Sequence, residues 1–542
     1  MEYSITQGRA LVSILVASTL VVAQTTSAAQ QTYGEYHSGK HAGLPLPQTT
    51  ECLNAALTAG RNSNAYSGIA AAVVLDGRVV YRTGLGTASP TSTQPVLPST
   101  RFRFGSIVKT MTATALLSLV REHRIDLHDP VSTLLPGFEL YGQPGWSDRL
   151  TAHRLLSHQG GIQNSGSVSG PRDDGALAAA FYDPAYLATV PLIVAPGTFY
   201  NYSNPNFALA GLLAETADGK PYRHVMHQRV FKPLGMKRTT FLPSTVLADN
   251  DFAYGVWGSE LVAPDAYDNA IMRPAGYGWT TADDLAKYAL FILHGNPHVL
   301  APRHWRAMQT RQVDTLEFLN LQGYGYGLGV SEGASLLDRD GQRRFYEGVK
   351  VVSHDGAIRG YRSFMVTLPA QRFGYVALIN GDIGNPGVDL ASGCFRVAAA
   401  ETIVDRLPPP SPFPDPDIQR DRFVDYVGEY ADITGGRAIV TLTPAGELQV
   451  EFPDLGVPYN PILEPVSRDN FGVHTGIGSF LLTGIRGTGN EVEYLRTRVA
   501  VLARTRTDQG ALNSVAPARD QRALEEAIRA ASQEHTSLWD LP

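Results

Sequence analysis

A chain of 542 residues holds material for two or three domains, and its 43% hydrophobic and 18% charged residues are ordinary for a folded, water-soluble protein. The formal net charge is only -6, from 45 basic and 51 acidic side chains, and no lysine- or arginine-rich run could track a phosphate backbone, which excludes nucleic acid as the expected partner.

Residues 1–29 have the form of a secretory signal peptide: Arg9 precedes a mostly apolar run from Ala10 to about Ala23, and small residues lead to a cut near Ala28 or Ala29. That run, about 14 residues, falls short of the roughly 20 that span a bilayer. No stable membrane span is therefore expected, and the mature chain is placed in the periplasm or outside the cell. In "TTECLNAALTAG", Thr50 is the expected cap of a short helix. "SGIAAAVVLDGRVVYRTGLG" then predicts two strands joined at Asp76-Gly77. An apolar helix follows from about Ser106 to His123, and the chain to about Ala270 reads as helices joined by long loops. Thr281 and Asp284 have the spacing of a helix-capping pair. "GYRSFMVTLPAQRFGYVALING" predicts another strand, turn and strand, before a last helix to about Leu407. Strands at both ends of a mostly helical middle indicate an α+β plan with an antiparallel sheet. The proline-rich run from Pro408 to Asp417 is a stiff linker between domains. From 418 to 506 short alternating runs with Gly and Asn turns predict a small antiparallel barrel or sandwich, and 507–542 is a polar tail.

Most catalytic and metal signatures are missing. There is no H-E-x-x-H, no G-x-x-x-x-G-K-[ST], no G-x-G-x-x-G and no G-x-S-x-G, and Cys52 and Cys394 alone are too few for a thiolate zinc site. No metal and no cofactor is expected. Ser106 and Lys109 stand out because residues three apart share one helix face, so a hydroxyl and an amine can meet there. A hydroxyl becomes a useful nucleophile only when a neighbour takes or polarises its proton. By itself S-x-x-K recurs by chance on the order of once in a chain of this length. Two further stretches accompany it: Tyr202-Ser203-Asn204 in a Pro/Gly/Asn-rich loop before an apolar helix, and His354-Asp355-Gly356 opening onto a strand.

Taken together in this order, S-x-x-K, Y-x-N and H-x-G resemble the serine β-lactamase and penicillin-binding protein superfamily, in the branch of class C β-lactamases, DD-peptidases, D-aminopeptidases and related esterases. "LLSHQGGI" and "YGYGLGV" have the family's look as well. The resemblance implies a catalytic domain over 49–407, with an antiparallel sheet flanked by helices and a helical subdomain, and a lipocalin-like β-domain over 418–506. It implies Ser106 as the nucleophile that is acylated, Lys109 as its activator and Tyr202 as a general base, with the choice between Lys109 and Tyr202 as proton acceptor left open. Asn204, His354, Asp355 and Gly356 match substrate-binding positions, and the backbone N–H groups of Ser106 and Ala357 match the oxyanion hole. The first and last helices of the domain would lie side by side, which makes a Cys52–Cys394 disulfide the hypothesis.

His354 departs from the lysine usual in efficient β-lactamases, and a neutral imidazole recognises a substrate carboxylate less well than a fixed ammonium. Asp355 either adds a negative charge to the cleft or points away from it. The expected activity is that of an exported serine hydrolase acting on a small-molecule or peptide substrate, as a D-amino-acid-type peptidase or an esterase. A weak β-lactamase or penicillin-binding protein, an acyl transferase and a non-catalytic peptidoglycan or partner binder are the alternatives. The sequence does not set the oligomeric state.

Overall fold

The computed structural model describes residues 44–505 apart from 63–65, 166–169, 318–321, 382–385, 433–435, 454–457, 476–477 and 498–499, and the expected signal peptide and polar tail lie outside the described residues. Helix α1 (Pro47–Asn62) leads into β1 (Gly68–Leu75) and β2 (Arg78–Gly86). Asp76 and Gly77, both at positive φ, form the turn between these strands, as the Asp-Gly pair predicts. Next come α2 (Val108–Arg121), α3 (Ala152–Leu156), α4 (Asn204–Asp218), α5 (Arg273–Gly276) and α6 (Ala282–His294). The chain then returns to the sheet as β3 (Val313–Asp314), β4 (Gln322–Tyr324), β5 (Gly329–Leu337), β6 (Arg343–Ile358), β7 (Tyr361–Leu368) and β8 (Phe373–Ile379), and closes with α7 (Pro386–Ile403). The eight strands lie in the order β2-β1-β8-β7-β6-β5-β4-β3, antiparallel throughout.

Strand β1, GIAAAVVL, is buried along its whole length because both faces are covered. Ile69, Ala71 and Val73 face a core that includes Leu53 of α1 and Cys394 of α7. Ala70, Ala72 and Val74 face the larger core built with α2, α4 and α6. Alternation along a strand thus sorts one apolar run into two cores. The Thr281 hydroxyl accepts from the Asp284 N–H at 3.1 Å to start α6, and Gly295, at φ +71°, ends it. The start of α1 differs from expectation. The helix begins at Pro47 and the Thr50 hydroxyl lies inside it, donating to Leu46 O. Its first turn is capped by Glu401 of α7, which accepts from the N–H groups of Gln48 and Thr49 at 2.8 Å each.

Residues 408–417, whose Ser411 forms a β-bridge with Phe345 of the first sheet, pass to a second sheet. The second sheet comprises β9 (Gly428–Ala431), β10 (Arg437–Leu442), β11 (Leu448–Glu451), β12 (Glu464–Ser467), β13 (Asn470–Thr475), β14 (Gly478–Arg486), β15 (Val492–Arg496) and β16 (Val501–Arg504), in the order β11-β10-β9-β16-β15-β14-β13-β12. It curls until its ends approach: Val450 N–H donates to Pro461 O at 2.8 Å and Leu463 N–H to Leu448 O at 2.9 Å. This half-closed barrel encloses its own core, which includes Phe423, Val440, Leu448, Phe471, Leu482 and Leu495. The α+β plan with an all-β carboxy-terminal sheet is the fold expected from the sequence. The described residues from Pro45 onward belong to one compact unit. Among the described residues no helix is long and apolar enough to cross a membrane.

Candidate active site

Ser106 sits in a single 3-10 turn, Gly105–Ile107, immediately before α2. Gly105 has φ +48°, and a Cβ there would stand 2.6 Å from Ala357 N. A Cβ on Gly356 would stand 2.3 Å from Phe104 O. Glycine on both sides is what lets this turn lie directly on β6. Room for it exists because β6 pairs with β5 only as far as Ser353 but with β7 out to Ile358, so one edge of the strand beyond Ser353 is open. The Ser363 hydroxyl of β7 fastens the turn by donating to Phe104 O at 2.9 Å. Ser106 and Ala357, the expected oxyanion donors, therefore lie on the two sides of one backbone contact.

Lys109 follows within the first turn of α2 and is fully buried. Its Nζ donates to Ser106 Oγ at 3.0 Å, to Asn204 Oδ1 at 2.7 Å and to Ala275 O of α5 at 2.7 Å, and lies 4.9 Å from the centre of the Tyr202 ring. The two carbonyl oxygens take two N–H groups whatever the charge state. The third direction, toward Ser106, suits an ammonium that donates or a neutral amine that accepts the serine proton. Two stretches far apart in the chain, one with Ser106 and Lys109 and the other with Tyr202 and Asn204, are thus brought together.

Tyr202 and Asn204 are held from behind by His158, at the end of α3. Its ring lies 4.2 Å from that of Tyr202 at an interplanar angle of 33°. Its Nδ1 accepts from the Ser203 N–H at 3.2 Å, and its backbone carbonyl accepts from the Asn201 N–H at 2.7 Å. Accepting a backbone N–H requires an unprotonated Nδ1, which fixes the tautomer. Ser203 adopts an extended conformation and Asn204 begins α4, with its own N–H donating to Asn164 Oδ1 at 3.0 Å. In the sequence His158 stands out only as part of a family-like stretch, where a histidine directly before Gln-Gly-Gly is the available signal.

His354 points into the same aromatic cluster. Its Nδ1–H donates to Asp355 O at 2.6 Å, and the Tyr324 hydroxyl meets Nε2 at 3.0 Å. In the neutral ring the Tyr324 hydroxyl is the donor and both nitrogens are occupied. Tyr324, like His158, is visible in the sequence only as part of a family-like stretch. Asp355 does not join the site. It pairs across the strands with Phe364, which belongs to the core under α1 and α7, whereas His354 pairs with Met365 of the opposite core. Successive residues of a strand face opposite sides, and this alternation carries the Asp355 carboxylate away from the cleft. The expectation that Asp355 binds substrate is corrected accordingly, while Gly356 acts through its lack of a side chain. Cys52 and Cys394 are joined as a disulfide with Cα atoms 5.8 Å apart, between α1 and α7. No group of three or more potential metal-binding side chains occurs among the described residues.

Comparison with known proteins agrees with this architecture. The chain is 25% identical over 319 residues to protein flp of Staphylococcus aureus (strain MW2), covering 57% of this chain and 58% of that protein. It is 27% identical over 319 residues to unguisins hydrolase ungD' of Aspergillus campestris, covering 57% of each. The match therefore spans less than two thirds of these relatives' length. The solved structure of the octameric penicillin-binding protein homologue from Pyrococcus abyssi superposes with a TM-score of 0.55 at 22% identity, covering 84% of this chain and 99% of that one, and so shares the fold. The family model described as Beta-lactamase matches residues 53–392, which include both Ser106 and His354, and the chain belongs to that family of serine hydrolases.

Proposed function

We propose that this protein is an exported serine hydrolase that cleaves an amide or ester through an acyl-enzyme on Ser106, with a D-aminoacyl peptide or ester as the substrate class. The observation that carries the proposal is the buried Lys109 Nζ at 3.0 Å from Ser106 Oγ, with Asn204 bonded to it and the Tyr202 ring beside it. Ser106 Oγ attacks the substrate carbonyl carbon, and its proton passes to the Lys109–Tyr202 pair. The carbonyl oxygen becomes an oxyanion that accepts from the Ser106 and Ala357 N–H groups, each such donor being worth about 3 to 4 kcal/mol. Collapse of the tetrahedral species expels the amine or alcohol, which takes the proton back from the pair. Water repeats the sequence on the ester and frees Ser106. A tyrosine serves as base at neutral pH only if its anion is favoured by about 4 kcal/mol, and the Lys109 charge is placed to supply such a field.

His354 supports the choice of substrate class. With its Nδ1–H given to Asp355 O and its Nε2 met by Tyr324, the neutral ring has no N–H left for the carboxylate of a β-lactam. Export is supported by the signal-like amino terminus and by the disulfide, a bond that persists in oxidising compartments. The test is hydrolysis of paired p-nitroanilide and p-nitrophenyl ester panels, including D-aminoacyl substrates and nitrocefin, by wild type and Ser106→Ala. Wild type should cleave at least one D-aminoacyl compound more than about 10³-fold faster than the variant. Equal background rates across the panel would sink the proposal.

A further inference from the structure

The second sheet contributes one buried cation to the neighbourhood of the active site. Arg496, the last residue of β15, is 2% exposed. Its side chain is directed out of its own sheet. One guanidinium nitrogen donates to Tyr200 O at 2.6 Å and the other to Thr315 O at 2.7 Å and Glu317 Oε1 at 3.1 Å. The guanidinium also lies 5.5 Å from the centre of the Tyr200 ring. Around it Ile485, Tyr494 and Val501 of the second sheet pack against Ile193, Val194, Phe199 and Leu316.

One carbonyl it grips belongs to the segment that carries Tyr202, and the other follows the strand that pairs with Tyr324. Tyr200 is two residues before Tyr202, and its ring stands 5.9 Å from that of His158 and 5.5 Å from that of Tyr324. Thr315 follows β3, whose Val313 pairs with Tyr324, the hydroxyl that meets His354. Burying a guanidinium is costly unless its hydrogen bonds are made. A guanidinium presents its N–H donors in a rigid planar fork, so it holds two carbonyls from separate segments at a fixed spacing.

We propose that Arg496 is a positioning residue of the active site: by clamping Tyr200 and Thr315 together it sets Tyr202 against Lys109, so the carboxy-terminal sheet is a working part of the hydrolase. This rests on Tyr202 and Lys109 acting as read above. A displacement of about 1 Å in such a group costs on the order of 10²-fold in rate. Arg504, on β16, is the matched control. It donates to Val427 O, Val492 O and the Tyr430 hydroxyl, all within the carboxy-terminal region, and it is not part of the clamp.

The experiment compares full-length wild type, Arg496→Leu, Arg496→Lys and Arg504→Leu by backbone hydrogen exchange and by steady-state hydrolysis of the best ester found in the panel, scaled to folded protein. Arg496→Leu should speed exchange over residues 199–206 and 313–317 while leaving 108–121 unchanged, and should lower kcat about 10²-fold with KM within about threefold. Arg496→Lys, which keeps the charge but loses the fork, should fall between. Arg504→Leu should lower the Tm and leave kcat per folded molecule at the wild-type value. Wild-type exchange over 199–206 and 313–317 in Arg496→Leu overturns the clamp, as does an equal loss of kcat in Arg504→Leu. Should Arg496→Leu fail to fold, wild-type exchange and kcat in Arg496→Lys overturn it equally. If wild type itself shows no Ser106-dependent turnover, the hydrolase reading fails and the exchange measurement still decides whether Arg496 holds these two segments.

Discussion

His354 has a hydrogen-bond partner at each ring nitrogen, Asp355 O at Nδ1 and the Tyr324 hydroxyl at Nε2. A side chain committed in this way shapes the cleft wall more than it recognises charge. Replacing it by lysine supplies an ammonium with three donors, of which Tyr324 can occupy only one. A hydrogen bond to a charged group contributes about 1.5 to 3 kcal/mol, equivalent to roughly a ten- to hundredfold gain for a substrate carrying a carboxylate. His354→Lys should therefore raise kcat/KM for nitrocefin by about that factor, while hydrolysis of an uncharged D-aminoacyl ester falls or holds level. Stopped-flow measurement of nitrocefin acylation reads this directly. An unchanged or lower nitrocefin rate in a folded variant would mean that residue 354 does not select for charge.

At the level of elements, the site depends on α2 and α4 keeping their register, since α2 carries Lys109 and continues the turn that holds Ser106, and α4 begins with Asn204. Their far ends are tied by ions. Asp218, at the end of α4, has a side chain only 2% exposed and is paired with Arg229, Arg124 and Lys220. Arg229 also grips Glu122, just past α2, at 2.9 and 3.0 Å. Burial alone would raise the Asp218 pKa, but the Arg229 hydrogen bond and the charges of Arg229, Lys220 and Arg124 outweigh it and hold the carboxyl below its usual value of 3.8. A carboxyl whose pKa is lowered by folding stabilises the protein above its unfolded pKa, and that contribution is lost as pH falls through the folded value. Asp218→Asn should accordingly cost about 3 kcal/mol at pH 7. The gap from wild type should close as pH drops below about 4. Urea unfolding at pH 7 and at pH 3 checks both halves, and a gap that stays constant with pH would rule out the ionic tie. The order of Ser106, Lys109, Tyr202, Asn204 and His354 was readable because each motif is local: a helix face, a loop before a helix, a strand start. Asp355 was not, because the face it takes depends on its pairing with Phe364. His158, Tyr324 and Arg496 were not singled out because their roles arise from partners across the chain. The cap of α1 went astray for the same reason: it is Glu401, 353 residues from Gln48, and no local rule reaches that far.

Over the whole molecule, the eight-stranded first sheet separates two tasks. One face packs against α2, α4 and α6 and carries the candidate site, and the other is covered by α1 and α7. The disulfide lies on the second face and joins residues 342 apart in sequence, so it closes most of the domain into one loop. A cross-link acts chiefly by restricting the unfolded chain, and long loops gain most in that account. The paired variant Cys52→Ala/Cys394→Ala should therefore lose about 2 to 5 kcal/mol of stability. Turnover per folded molecule should be unaffected, because the sheet stands between the disulfide and Ser106. Reduction of wild type with a thiol should produce the same shift in the denaturation midpoint, while reduction of the paired variant should produce none. An unchanged midpoint in the variant would show that α1 is held by packing and by Glu401 alone. A loss of turnover ahead of unfolding would instead show that strain passes through β1 and β8 to the catalytic face, contrary to the division of labour between the two sides of the sheet.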